Sequence, residues 1–141
     1  MGQQQLLLLV LGIVIVGLAV VAGINAFDEN RKRSTKDAIV NEAMRIATDV
    51  QAYKVKPGQL GGGGGDWPSS LSDAGVSGDT PWGTVDYAEG SDSDSKAELL
   101  LKPESVSEKA IIEIPANGGT PSLSSGGSDG DIWGSDKSIG S

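Results

Sequence analysis

Hydrophobic and polar positions divide the chain into three stretches with different periods. From Leu6 to Phe27 nearly every side chain is apolar, with breaks only at Gly12, Gly17, Gly23 and Asn25. The first charged residue is Asp28. At about 1.5 Å per residue, a helix over this run is roughly 33 Å long, enough for a bilayer hydrocarbon core. It is too long for the hydrophobic region of a cleaved secretory signal, and no basic stretch leads into it. Lys and Arg cluster after the span, which leaves two readings. Either the C-terminal part is cytoplasmic, or a basic leader once stood ahead of residue 1 and was removed.

From Asp28 to Tyr53 there is neither Pro nor Gly, and Ile39, Ala43, Ile46, Val50 and Tyr53 recur at spacings of four and three. That is a single apolar stripe on a polar helix. The pattern predicts one helix of about 50 residues, apolar all round in its first half and amphipathic in its second. The stripe is expected to pack on the chain's own C-terminal domain, since two heptads are too few for a coiled-coil seam. Pro57 and Gly58 stop the helix, and Gly61 to Gly65 are expected to form a flexible loop. A helix precedes these glycines and "DWP" follows, so they lack the strand–loop–helix setting of a phosphate-binding loop.

Beyond the loop the period falls to two. "TVDYAE" alternates Val85 and Tyr87 against Asp86. "KAELLLK" puts Ala97, Leu99 and Leu101 on one face, and "AIIEI" does the same with Ala110, Ile112 and Ile114. These are three strand candidates, the last two joined by a hairpin-type loop, "KPESVSE". The predicted fold is α+β, a long N-terminal helix backing a small antiparallel sheet. Its parts are residues 1–27 (apolar helix), 28–56 (amphipathic continuation) and 57–141 (acidic, Gly/Ser-rich β domain). After Pro115, Ile132 and Trp133 are the main apolar anchors.

Charge sharpens this division. The net charge is −8. Residues 28–56 contribute +2 and residues 57–141 contribute −10, so the acidity belongs to the β domain. Such a surface repels phosphate backbones, and nucleic acid is not expected as a partner. Arg31, Lys32, Arg33 and Lys36 alternate with Asp28, Glu29 and Asp37, which reads as local pairing on a solvated face rather than a lipid-headgroup patch. The chain has no Cys and no His, which removes disulfides, the usual zinc sites, thiol nucleophiles and imidazole catalysis. No carboxylate pair sits in an apolar context that would raise a pKa, so no enzyme activity is expected. In "GSDGDIW", Asp129 and Asp131 flank Gly130. Two carboxylates in a tight turn suit a hard cation such as calcium, and suit a plain solvated acidic turn as well. Ser91 to Ser95 reads as a loop.

Taken together, four segments resemble the type IV pilin family and its pseudopilin relatives. They are "MGQQQ" before the apolar run, "DWPSSLSDAG" with Trp67 at the aromatic position, "DTPWGTVDY" with Thr80 inserted before Pro81, and "SDGDIW" near the end. The resemblance implies a lollipop-like subunit cut from its leader by a prepilin peptidase and methylated at the new N-terminus. It would be held in the inner membrane, then moved by pilus assembly machinery into an extracellular helical filament of identical subunits. Assembly would run along Met1, Gln5, Leu6, Leu9, Gly12, Ile13, Val16, Gly17, Val20 and Gly23, with the glycines allowing close helix approach. The last segment would be a calcium loop. Two positions depart from the family: Gln5 stands where an acid is usual, and Ala22 where many bacterial pilins have Pro. The alternatives are a major pseudopilin of type II secretion and a single-pass membrane-anchored binding domain.

Overall fold

The computed structural model describes residues 2–89, 95–124, 133, 134 and 139. One helix, α1, runs from Gly2 to Val55. Five strands follow: β1 (Asp79–Thr80), β2 (Gly83–Ala88), β3 (Ala97–Pro103), β4 (Ala110–Ile114) and β5 (Ser122–Ser124). They form one sheet in the order β1-β2-β3-β4-β5, each antiparallel to the next. This is the α+β architecture expected, with the three predicted strands at its centre. The two edge strands were not foreseen. Asp79–Thr80 and Ser122–Ser124 are too short and too polar to carry a period.

The chain divides into two compact units, residues 1–34 and 35–141. Among the described residues the first is helix alone. The second contains the core. Ile39, Ala43, Ile46, Ala47 and Val50 of α1 join Val85, Ala97, Leu99, Leu101, Ala110, Ile112 and Ile114 in one buried cluster. The stripe therefore packs on the sheet, as its spacing predicts. Register explains the match, since Leu99 lies opposite Ile112 and Leu101 opposite Ala110, so the apolar faces of β3 and β4 coincide.

Two details of the core differ from expectation. Tyr53 is only half-buried, while Ala47 and Lys54 are buried. Lys54 is covered by Trp67. Its ring lies 4.1 Å from the Lys54 ammonium, and its Nε1–H donates to the Ser95 carbonyl at 2.8 Å. Leu100, on the other face of β3, is also buried, at 5% exposure, directly opposite Ile111.

The glycine run is ordered, not the flexible loop its composition suggests. After a short 3-10 turn at Gly58–Leu60, the N–H groups of Gly63, Gly64 and Gly65 donate to the carbonyls of Tyr53, Lys56 and Lys54 at 2.8–2.9 Å. They satisfy carbonyls that the end of a helix leaves without partners. The fit depends on glycine. A Cβ on Gly62 would lie 2.2 Å from the Lys56 oxygen, and one on Gly63 would lie 2.1 Å from the Asp66 oxygen.

Candidate assembly surface

Residues 2–34 expose everything they carry. The large apolar side chains from Leu6 to Phe27 are between 52% and 80% exposed. This segment is long and apolar enough to cross a membrane. Gln5, Leu6, Leu9, Ile13, Val16 and Val20 all lie on it and all are exposed. A Cβ at Gly12, Gly17 or Gly23 would meet nothing within 4 Å, so no contact within a single copy requires glycine there. Met1 lies outside the described residues.

Below the apolar run the charges pair. Arg33 donates to Glu29 at 2.6 Å, one helical turn away, and Arg45 to Glu42 at 2.6 Å. The local pairing expected of the basic cluster thus holds for Arg33. Lys36 behaves differently. It pairs with Glu108, from the segment between β3 and β4, and its ammonium sits 5.0 Å from the centre of the Trp133 ring. Gly134, next along, pairs with Lys109 through two backbone hydrogen bonds of 2.7 and 2.9 Å. Trp133 therefore anchors the chain after β5, as its apolar character suggests. The partnership with Lys36 had no sequence signal, because nearly a hundred residues separate the two.

The candidate cation ligands, Asp129 and Asp131, lie outside the described residues, as do residues 91–94 of the serine-rich loop and Ile132. Among the described residues no group of three or more His, Cys, Asp or Glu is placed to hold a metal ion. A shallow groove of about 520 Å³ runs between the 69–79 segment and β2, lined by Ser70, Ser72, Asp79 and Tyr87 among others. The Tyr87 hydroxyl is buried without a hydrogen-bond partner, and burial, with the charge of Glu89, raises its pKa well above the ordinary phenol value. A phenol so hard to ionise makes a poor general base at neutral pH.

Charge pairs also brace the sheet. Lys96, just ahead of β3, donates to Glu113 of β4 at 2.7 Å; this bond holds the Glu113 carboxyl below its usual value and raises the Lys96 ammonium. Lys102 pairs with Asp86 in the same way across β2 and β3. No family model matches the chain, and neither does any curated protein or solved structure.

Proposed function

We propose that this chain is the structural subunit of a type IV pilus-like helical filament, assembled through the apolar half of α1 and held in a membrane beforehand. One observation carries the reading. A 22-residue run from Leu6 to Phe27, apolar but for Asn25, stays exposed on every side, while the folded unit beyond it buries Ile39, Ala43, Ile46 and Val50 of its own stripe. Removing each Leu, Ile or Val from water is worth about 1.5–3 kcal/mol, so such a surface must be covered. Lipid covers it, and so do like helices. A helix that is apolar all round suits both, which is what a subunit moving from bilayer to polymer requires. The acidic β domain then faces water and its net negative charge favours solubility.

The same run also fits a single-pass anchor carrying a binding domain, because its length matches a bilayer. Detergent removal from the purified full chain separates the two. The filament reading expects regular rods in negative-stain micrographs. Monomers that stay dispersed in lipid nanodiscs, with no rods under any lipid-free condition, would sink it. Short rods confined to the envelope of the native cells would favour the pseudopilin form of the same proposal.

A further inference from the structure

The chain has four asparagines, and folding treats one of them differently from the rest. Asn25, Asn30 and Asn41 lie within α1, where the backbone nitrogen after each is locked into the helix. Asn117 lies in the turn from β4 to β5, is exposed, and is the only asparagine followed by glycine. Gly118 has a φ of +78°, and a Cβ built on it would meet nothing within 4 Å. Its backbone nitrogen therefore has no side chain beside it to shield it. Among the described residues, no backbone carbonyl accepts from the Gly118 N–H. The Asn117 side chain folds back over this link, since its Oδ1 accepts from the Gly119 N–H at 3.1 Å. That bond also draws electron density from the Asn117 Cγ.

We propose that Asn117 is a site of spontaneous covalent modification, converted to isoaspartate and aspartate with water as the only co-reactant. The Gly118 nitrogen gives its proton to solvent base and attacks the Asn117 Cγ. A C–N bond forms and closes a succinimide ring; the Cγ–Nδ2 bond breaks, and Nδ2 takes up a proton and leaves as ammonia. Water then opens the ring. Addition at Cγ restores the main chain as aspartate, whereas addition at the Asn117 main-chain carbonyl leaves the chain running through Cβ and Cγ as isoaspartate. Nothing is oxidised or reduced, and either product carries one more negative charge. The fold gives this change a consequence. Gln51 of α1 donates through Nε2 to the Gly119 carbonyl at 2.8 Å and to the Pro115 carbonyl at 3.4 Å, which ties the turn to the helix. Isoaspartate adds a methylene to the main chain between those two carbonyls and loosens the tie. None of this depends on the filament reading.

The experiment holds the full-length chain in detergent in warm, mildly alkaline buffer, beside a sample unfolded in urea, and maps peptides by mass spectrometry over time. The peptide holding Asn117 should give way to two isomers, each heavier by the difference between O and NH, with isoaspartate in excess. Conversion should speed up with hydroxide concentration. Asn117 should convert more than about tenfold faster than Asn25, Asn30 or Asn41, because each of those needs the helix to open first. Asn117→Gln, whose longer side chain must close a larger ring, should keep its amide. Conversion in urea but not in the folded chain would show that the turn protects Asn117 and overturn the proposal. So would an intact Asn117 in both samples, or a helical asparagine converting at the same rate. A second readout follows the tie to α1. Ageing should lower the melting midpoint of the wild-type chain, and lower it less in Gln51→Ala, where that tie is already gone. An equal fall in both would overturn the loosening.

Discussion

The two halves of α1 share one backbone conformation and meet opposite fates. Residues 35–55 mix polar and apolar side chains about equally, and their apolar stripe is buried to 0 or 1% exposure at Ile39, Ala43, Ile46 and Val50. Residues 6–27 are almost wholly apolar and bury nothing in the single copy. Hydrophobicity therefore does not tell where this chain's core lies. The core forms where an apolar stripe faces an apolar sheet; where apolar residues point in all directions, no sheet of the same chain can cover them. The surplus is apolar surface that the folded unit itself does not cover.

That contrast can be broken most sharply by paired truncations. Ile46→Ala should destabilise residues 35–141 by about 2–5 kcal/mol, seen as a lower denaturation midpoint. Ile13→Ala should leave that midpoint unmoved and weaken assembly instead. Equal effects on folding would erase the distinction between the halves.

Glycines give a second comparison. Gly62→Ala pushes a Cβ into the Lys56 carbonyl and should cost roughly 1–3 kcal/mol of stability by disrupting the helix end. Gly12→Ala meets open space and should leave the folding of a single copy unchanged, so any defect it causes must appear in assembly. Thermal melts of the two variants in detergent, beside sedimentation of their polymers, separate these outcomes.

Smaller effects sharpen the picture inside the folded unit. Trp67→Phe keeps an aromatic face over Lys54 but removes the bond to Ser95. It should cost about 0.5–1.5 kcal/mol, visible in urea denaturation. The Lys96–Glu113 pair is partly exposed and contributes less than about 1 kcal/mol. Because the folded carboxyl lies below its unfolded value, the contribution is present above the unfolded carboxylate pKa and is lost as pH falls through the folded one. Stability measured down the acid limb should therefore fall less steeply in Glu113→Gln. An identical slope would show that the pair contributes nothing.

Much of this was legible in the residues. The helix and the three central strands follow from side-chain period alone, because spacings of 3.6 and 2 are backbone properties. The stripe was found almost in full. It differs at Ala47, which is buried as well, and near its end, where Tyr53 is half-buried and Lys54 lies under Trp67. The order in Gly61–Gly65 was hidden, since composition cannot distinguish a mobile glycine run from one whose N–H groups complete a helix. For residues 6–27 the apolar run was legible in the sequence, and its exposure on every side is what the structure adds.

Residue order along the chain dictates what is local and periodic: a long helix with two characters, a small sheet, and an acidic domain free of Cys and His. The contacts that folding alone creates join residues far apart in the chain. Lys36 meets Glu108 and Trp133, Trp67 caps Lys54 and reaches Ser95, and two short polar strands close the sheet's edges. Period is written into neighbouring residues, whereas such pairings arise only after the sheet has folded onto the helix and brought distant side chains within a few ångströms of one another.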